Sequence, residues 1–579
     1  MANPHRLYQP ACLGPLTLRN RLIMAPMTTR QADARGFVTP ASLAYYQARA
    51  RGGVGLITVE MAGPERVGRH RHHELGLDED IYLDGLRQLT SLIHAEGALA
   101  SIQLGHGGGH TRKDICQHEP IAPSRVLHSV HEGHTEDVWP QAMTQERILQ
   151  TQLSFAVAAR RAQQAGFDAV EIHAAHGYLL SQFLSHVENI RTDLYGGSLE
   201  NRARFILEIV RQVKDAVPDM AVVVRMNAHD FFDGGITPDE AVEIAQWIEA
   251  AGADAIHVTA GHYRSQPSAA IMIPPMATPP TPFRAYARMI KEKLSIPVIT
   301  VGRYGRPADA EAVIEAGEAD FVALGRPLLA DPDWVTKASE GKTPRPCLAC
   351  NFCVDGMRDG HKLHCLVNPQ TGRETRYAGR PLAATGQKIA VIGAGPAGLT
   401  FASLMADHNH VTLYEQYQET GGHFLMTGWA PLFQTVEARP DTFLAYRSAM
   451  QQICVDKGVE IKTGLNPLTD PDAALQNGWR DYDWVVLATG ARLPFGLEDF
   501  GTYLLRQGFF KKTILRALFT HPRLRHFFYY TLRQATGQKG RHAIQDGVRV
   551  SVIGDAAKAG KASEAILSAY ELAYQVEGA

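Results

Sequence analysis

The chain has 579 residues, is 45% hydrophobic, and carries 58 basic against 60 acidic side chains. This length exceeds what one hydrophobic core can serve, so it predicts two to four domains. The balanced charge predicts no general attraction to nucleic acid, and no apolar run approaches the ~20 residues that a membrane-spanning helix needs. Four of the seven cysteines form a thiol-rich segment, and there is no apolar leader peptide, so the chain is expected in a reducing cytoplasm.

Eight short apolar runs recur between helix-like stretches in residues 1–340. They are rich in Val, Ile and Ala without clean polar alternation, which is typical of parallel strands buried on both faces. The runs are Arg21–Met27, Val54–Met61, Ala98–Gly105, Ala169–Ala175, Ala221–Ala228, Ala255–Gly261, Pro297–Arg303 and Phe321–Pro327. The helix-like stretches include Glu146–Ala165, Glu200–Ala216, Pro238–Ala251 and Ala308–Ala316. This series predicts an α/β protein with an N-terminal (β/α)8 TIM barrel, a doubly wound sheet being the alternative.

Polar side chains stand at the ends of the predicted strands, where such barrels gather their chemistry. They are Thr28, Glu60, Gln103, His106, His173, His176, Arg225 and Tyr263. The two histidines are three residues apart and can donate two hydrogen bonds to one substrate oxygen. Tyr178 follows two residues later, and a phenol is a reasonable donor of a proton to carbon. A histidine satisfied within the core is the alternative for each imidazole.

The last two predicted strands end in glycine–arginine turns, Gly302-Arg303 and Gly325-Arg326. Close backbone N–H groups and a guanidinium at these positions can bind a phosphate. An isolated Gly-Arg is usually a surface turn. A pair after strands seven and eight favours a phosphate site.

Four cysteines fall within nineteen positions after the predicted barrel. Cys347, Cys350, Cys353 and Cys365 have the spacing C-x2-C-x2-C-x11-C. Four thiolates so spaced can each ligate one iron of a 4Fe-4S cluster. A tetrahedral zinc would accept the same ligands, and two disulfides are a third possibility. We place this segment at residues 341–385.

A dinucleotide-binding pattern begins at Lys388. An apolar strand enters G-x-G-x-x-G with Gly393, Gly395 and Gly398, and Glu415 ends the next apolar run. The glycines permit a tight turn, a close approach of pyrophosphate to a helix N-terminus, and helix–strand packing, and Glu415 can bind the ribose hydroxyls. The pattern is completed by Gly421-Gly422, Val485–Gly490 and the Gly-Asp turn at Asp555. Residues 386–495 with 548–579 are therefore predicted to bind FAD, with Gly422 and Asp555 among the contacts.

Several sequence blocks resemble those of the old yellow enzyme family. They are Met24-Ala-Pro-Met-Thr28, Gln103-Leu-Gly-His106, Glu171-Ile-His-Ala-Ala-His-Gly-Tyr178 and Arg191-Thr-Asp-Leu-Tyr-Gly-Gly197. With the cysteines and the second glycine motif, the chain resembles the multidomain FMN/4Fe-4S/FAD branch that contains 2,4-dienoyl-CoA reductase and trimethylamine dehydrogenase. The resemblance covers residues 1 to about 495 and the last thirty.

The resemblance implies a role for each strand-end residue. His173 and His176 would bind the substrate oxygen, and Tyr178 would be the proton donor. Contacts to FMN would come from Thr28, Glu60, Gln103, Arg225, Gly302, Arg303, Gly325 and Arg326. The family's arginine after strand three is replaced by glycines that include Gly108 and Gly109, from which we expect a wider or looser pocket wall.

The C-terminal region departs from the full-length relatives. About sixty residues separate Gly490 from Gly554, too few for a second nucleotide-binding domain. In its place residues 496–547 form a basic and aromatic insertion, whose residues 501–545 hold nine Lys or Arg and no acidic residue. We interpret it as a helical cover or oligomer contact, or as a docking patch for an acidic electron-transfer protein or an anionic membrane surface.

These observations predict a flavin- and iron–sulfur-dependent oxidoreductase. Its expected reaction reduces a C=C bond conjugated to a carbonyl, with FMN, a 4Fe-4S cluster and FAD as cofactors and NAD(P)H as a possible electron donor. The first alternative is an amine or C–H dehydrogenase that passes electrons to a flavoprotein, and the second is an electron-transfer subunit. A homo-oligomer acting on a small molecule, without nucleic acid, is expected.

Overall fold

The computed structural model describes residues 5–427, 440–475, 478–492, 521, 523, 527, 533–544 and 547–576. It divides the chain into two compact units. The first comprises residues 1–339, 349–364 and 371–375, and the second comprises residues 340–348, 365–370 and 376–579. Each unit is described by itself below.

Eight parallel strands close into a barrel in the first unit, which confirms the predicted TIM barrel. The strands are β1 (Leu22–Met24), β2 (Leu56–Ala62), β3 (Leu99–Leu104), β4 (Ala169–Ala174), β5 (Ala221–Asn227), β6 (Ala255–Thr259), β7 (Val298–Val301) and β8 (Phe321–Leu324). Each follows its neighbour in chain order, and β8 pairs with β1 to close the ring. Every residue of β2, β4, β5 and β6 is buried, as strands covered on both faces require.

Seven longer helices follow the first seven strands. They are α1 (Pro40–Arg51), α2 (Leu83–Ala95), α3 (Gln145–Gln164), α4 (Leu199–Ala216), α5 (Pro238–Ala250), α6 (Arg284–Lys291) and α7 (Pro307–Glu315). Thr39, Thr144, Ser198 and Thr237 cap four of them by accepting a backbone N–H of the first turn. Short helices at Lys113–Cys116, Leu179–Leu184, Gln266–Met272, Arg326–Ala330 and Trp334–Ser339 complete this unit with α8 (Phe352–Arg358). The short helix Glu374–Tyr377 begins in the first unit and ends in the second.

One end of the barrel is closed by apolar side chains. A hairpin of Ala11–Leu13 and Leu16–Leu18 places Leu13 and Leu18 in a buried cluster with inward-facing residues of the strands, such as Phe321. The polar strand-end residues lie at the other end. A second hairpin, His128–Glu132 with His134–Val138, is inserted between β3 and α3 and was not predicted.

The second unit contains a five-stranded parallel sheet with the order β11-β10-β9-β12-β13. The strands are β9 (Lys388–Ile392), β10 (His410–Glu415), β11 (Glu460–Thr463), β12 (Trp484–Leu487) and β13 (Arg549–Val552). Its longer helices are α9 (Pro396–Met405), α10 (Pro440–Asp456) and α11 (Ala562–Tyr574), and α9 packs against both others. This arrangement agrees with the predicted Rossmann-like class.

Shorter elements of the second unit are Phe424–Thr427, Pro471–Ala474, Gly478–Asp481, Gly537–Arg541, Gly554–Ala556 and the pair Ala491–Arg492 with Gln534–Ala535. Most of the basic and aromatic segment at 501–545 lies outside the described residues. Within the described part of the chain, no helix combines the length and apolar character needed to span a membrane.

Candidate functional site

His173, His176 and Tyr178 come together at the carboxyl end of β4. The imidazole centroids of His173 and His176 are 5.1 Å apart, and the ring of Tyr178 lies 5.2 Å from that of His173. His176 has a left-handed backbone with φ of 66°, and its Nε2 lies 3.1 Å from Thr259 Oγ1 on β6. Because of this turn, His176, which follows the end of β4, lies close to His173, as the spacing predicted.

Both imidazoles are buried and uncharged at neutral pH. Burial, reinforced by the guanidinium of Arg225, holds the pKa of His173 and of His176 well below its ordinary value. His173 Nδ1 has no hydrogen-bond partner among the described residues. A buried nitrogen without a partner fits a group that a bound molecule completes. Neutral imidazoles can still donate through one N–H each.

Arg225 and Gln103 belong to a buried polar layer inside the barrel. Gln103 Nε2 donates to Glu171 Oε1 at 2.7 Å, and the other carboxylate oxygen of Glu171 lies 2.8 Å from His257 Nδ1. Arg225 is in register with His173 and with His257 on the neighbouring strands. Its Nε has no partner among the described residues. A buried guanidinium with an unused N–H donor can bind the electron-rich edge of a flavin.

Glu60 contacts Thr29 rather than its neighbour Thr28. The carboxylate accepts from the backbone N–H of Thr29 at 2.8 Å and from the Thr29 hydroxyl at 2.5 Å. Burial raises the pKa of Glu60 to about 7, although the Thr29 hydrogen bonds oppose the shift. Thr28 is half-buried beside this pair. Its predicted contact with the flavin stays a prediction.

The two glycine–arginine turns lie where they were predicted, after β7 and β8. Gly302 has φ of 114° and Arg303 has φ of 56°, so this turn needs a left-handed backbone at two successive positions. Gly325 begins the short helix that contains Arg326. Arg326 donates to Pro274 O at 2.8 Å and to the side chain of Asn351. The half-buried arginines and the left-handed turn at Gly302 fit a phosphate.

Tyr178 lies among aromatic and cationic side chains from distant parts of the chain. Its ring is 5.7 Å from Tyr263 and 5.1 Å from His70. Burial raises the pKa of Tyr178 well above its ordinary value. Burial would do the same to Tyr263, but the guanidinium groups of Arg71 and Arg358 lower the pKa of Tyr263 below its ordinary value. Tyr178 therefore keeps its proton, as a proton donor must.

Arg71 is fixed by a shared carboxylate. Its Nη1 lies 3.2 Å from Glu132 Oε2, and Glu132 also pairs with the buried Arg30. Glu132 comes from the inserted hairpin. Arg30 in turn donates through Nε to the carbonyl of Met357 at 3.0 Å. Sequence reasoning missed Arg71, Glu132 and the Glu171–His257 pair, and it left Tyr263 without a role, because no motif joins these positions.

The glycines after β3 are packed tightly. A Cβ at Gly108 would lie 2.4 Å from Gln182 Oε1, and one at Gly109 would lie 2.5 Å from the His128 ring. The expected wider or looser wall is therefore wrong. The glycines are needed because neighbouring side chains already fill the space that a Cβ would take.

The four cysteines belong to both units. Cys350 and Cys353 lie in the first unit, with Cys353 at the start of α8, and Cys347 and Cys365 are assigned to the second. Ala349 and Asn351, on either side of Cys350, have left-handed backbones with φ of 50° and 57°. In the described part of the chain, no group of three or more His, Cys, Asp or Glu side chains is arranged around a single metal ion. As a donor set, four thiolates fit a cluster in which each iron accepts one sulfur.

The glycine motif of the second unit has the form of a dinucleotide-binding loop. Gly393 has φ of 103°, and a Cβ at Gly398 would lie 1.9 Å from the Gly393 carbonyl oxygen, so the helix and the turn are in close contact. A Cβ at Gly395 would meet nothing nearer than Gly422 at 4.0 Å. This open space at the N-terminus of α9 fits a pyrophosphate.

Two other predicted FAD contacts have partners within the chain. Glu415 accepts from the backbone N–H of Ala394 at 2.9 Å, so one of its oxygens holds the glycine loop. Asp555 pairs with Arg533 at 2.5 Å. Arg533 is among the few described residues of the basic segment. The roles of Glu415 and Asp555 toward FAD stay predictions.

Comparison with known proteins identifies relatives across most of the chain. Residues 6–344 match the NADH:flavin oxidoreductase / NADH oxidase family, and residues 387–514 match the pyridine nucleotide-disulphide oxidoreductase family. The chain is 38% identical over 494 residues to a NADH oxidase of Thermoanaerobacter brockii, covering 84% of this chain and 73% of that protein. It is 33% identical over 513 residues to a cinnamate reductase of Clostridium sporogenes, covering 84% and 74%.

A solved structure also resembles the whole chain. A complex of 2-naphthoyl-CoA reductase with 2-naphthoyl-CoA superposes with a TM-score of 0.82 at 25% identity. The superposition covers 99% of this chain and 100% of that one. The order of barrel and Rossmann-like domain is therefore shared over the full length.

Proposed function

The chain belongs to the NADH:flavin oxidoreductase / NADH oxidase family, and from that membership we propose that its barrel reduces a C=C bond conjugated to a carbonyl. The observation that carries the proposal is the grouping of His173, His176 and Tyr178 beside Arg225, whose buried Nε has no partner in the described part of the chain. Relatives named for cinnamate and 2-naphthoyl-CoA reduction support this chemistry.

The two imidazoles would bind the substrate carbonyl. His173 and His176 are neutral, so each can donate one N–H without carrying a charge of its own. Their donors would stabilise the negative charge that develops on the oxygen as the alkene accepts a hydride, which bound FMN supplies. Since the donors are fixed by the barrel and by Thr259, little reorganisation is needed during the reaction.

Tyr178 would deliver the proton to the neighbouring carbon. Its hydroxyl is held within a buried set of rings, and its pKa is raised, so it is protonated at every physiological pH. The contact with Tyr263, whose pKa is lowered by Arg71 and Arg358, gives Tyr178 a route by which its proton can be replaced.

The cofactor assignments follow from the donor sets. FMN would be held by Thr28, Glu60, Gln103, Arg225 and the two glycine–arginine turns. A 4Fe-4S cluster would be held by Cys347, Cys350, Cys353 and Cys365, and FAD by the loop with Gly393, Gly395 and Gly398, together with Glu415, Gly422 and Asp555. Quantifying FMN, FAD, iron and sulfide in the purified protein tests all three. A folded, active preparation that lacks iron would contradict the cluster.

The electron donor is proposed to be NAD(P)H, as the family name suggests, with a protein carrier as the alternative. A carrier would dock on residues 501–545, most of which lie outside the described residues. Rates of enone reduction with NADH, NADPH and a reduced flavodoxin or ferredoxin would separate these donors. The cytoplasmic location and the homo-oligomer stay predictions.

The reaction itself is tested by comparing enone reduction with amine oxidation. We expect turnover of 2-cyclohexenone or cinnamaldehyde and none of dimethylglycine or histamine. Tyr178→Phe should slow alkene reduction by about 10²–10⁴-fold while FMN content is unchanged. Tyr195→Phe is the matched control, because Tyr195 is a buried tyrosine whose hydroxyl bonds Glu208 outside the site. Amine turnover without enone turnover would defeat the proposal.

A further inference from the structure

Arg358 brings a cation from α8, the helix that contains Cys353, to the rings around Tyr178. Its guanidinium carbon lies 5.8 Å from the centroid of the Tyr263 ring. The side chain is half-buried, and within the described residues no carboxylate lies at ion-pair distance from it, although the adjacent Asp359 pairs with His131. A guanidinium without a counter-ion beside a reaction site is a natural partner for an anionic group.

His110 presents a second donor at the same ring. Its imidazole stacks on Tyr263 with centroids 4.1 Å apart and planes inclined by 10°. His110 is 4% exposed, and its ring makes no hydrogen bond with any described residue. Burial, reinforced by Arg71, holds the pKa of His110 well below its ordinary value, so the imidazole is neutral. With no hydrogen bond to the described residues, the imidazole can donate its N–H to a bound molecule.

Cationic side chains lie beside Tyr263. Arg71 and Arg30 share the carboxylate of Glu132, and Glu74 is a second buried carboxylate nearby that pairs with His70. Arg358 adds a cation over the Tyr263 ring, with no carboxylate at ion-pair distance among the described residues. The lowered pKa of Tyr263 reports the same positive potential on a phenol that burial alone would shift the other way.

Taking the proposed enone site as given, we propose that Arg358 and His110 form an anion subsite that binds a carboxylate on the substrate, separate from the carbonyl held by His173 and His176. The substrate class is then a carbonyl-activated alkene that also carries a carboxylate. A carboxylate suits the pair because one guanidinium and one imidazole N–H can each occupy one of its two oxygens.

The test compares two ligands of similar shape, one with a carboxylate and one with a neutral amide in its place. In 4-hydroxybenzoate and 4-hydroxybenzamide the phenol oxygen can take the place of the substrate carbonyl, and only the first has a carboxylate. Calorimetric titration of the purified holoenzyme should give at least tenfold tighter binding of the acid. Arg358→Gln should lower the acid-to-amide ratio of affinities by about tenfold, Arg358→Lys should restore part of it, and His110→Phe should lower it while keeping the stacked ring.

Arg288→Gln is the control, since it removes an exposed guanidinium from the outer helix α6, and the ratio should stay at the wild-type value. Equal affinity for acid and amide in the wild type would overturn the inference. So would an Arg358→Gln variant that weakens both ligands equally, because that result means that Arg358 only supports its helix. If the wild type binds the acid through Arg358 but reduces no enone, the proposed function is wrong and the anion subsite is still supported.

Discussion

The buried carboxyl of Glu60 makes the stability of the barrel depend on pH. Glu60 lies within β2 and is 1% exposed. Burial raises its pKa from 4.5 to about 7 in the folded protein. Between these values the folded protein holds a proton that the unfolded chain has lost. Rising pH therefore lowers the free energy of unfolding in this window.

The size of the effect follows from the shift. At 1.36 kcal/mol per unit, a change from 4.5 to about 7 corresponds to about 3 kcal/mol. This contribution is fully present below pH 4.5 and is lost as the pH rises through about 7. Most of it falls between pH 5 and pH 8, where the protein can be studied without acid denaturation.

The assay compares thermal midpoints of the wild type and Glu60→Gln at pH 5 and pH 8. Glutamine has a similar shape and does not ionise, so the midpoint of the variant should rise by several degrees relative to the wild type over this range. Glu243→Gln, at an exposed position of α5, should show no such change. A difference between Glu60→Gln and wild type that is the same at both pH values would refute the reasoning.

Three further predictions concern the glycine loop, the carboxylate of Glu132 and the two imidazoles. Gly395→Ala should lower FAD content without changing the unfolding of the cofactor-free protein, because the added Cβ enters open space. Gly398→Ala should instead destabilise the second unit by about 1–3 kcal/mol, because its Cβ would clash with the turn at Gly393. Glu132→Gln should cost about 3–5 kcal/mol in the free energy of unfolding, since it leaves two buried guanidinium groups without a carboxylate. Near pH 6.5, where an ordinary imidazole titrates, enone binding should show no inflection caused by His173 or His176, because both stay neutral there.

Each of these outcomes has a matched control. Glu136→Gln removes a carboxylate that is half exposed and should change stability little. Equal loss of FAD in Gly395→Ala and Gly398→Ala, with equal destabilisation, would contradict the distinction between the two glycines. An inflection in enone affinity near pH 6.5 that disappears in His173→Asn would show that an imidazole titrates in the site.

Local sequence patterns were sufficient to predict the strands of both units. The strands of the barrel and of the second sheet are short apolar runs, so composition and periodicity locate them. In the barrel, strands that are consecutive in sequence are also neighbours in space. The same holds for Gly393, Gly395 and Gly398, whose spacing is fixed by one turn. His173, His176 and Tyr178 lie on one strand end, and their proximity follows from sequence spacing alone.

The features of the site that were not predicted depend on contacts between segments that are remote in sequence. Two loops, a strand of the inserted hairpin and a helix supply Arg71, Tyr263, Glu132 and Arg358, and no periodicity relates these residues. The tight wall at Gly108 was misjudged for the same reason, since only packing shows that Gln182 fills the space. The sequence thus determined the two folds and the residues that end their strands, because those signals are local. Only the tertiary structure decided which buried charged side chains are in contact. The pKa shifts of the site, and the hydrogen-bond donors left for a bound molecule, depend on those contacts.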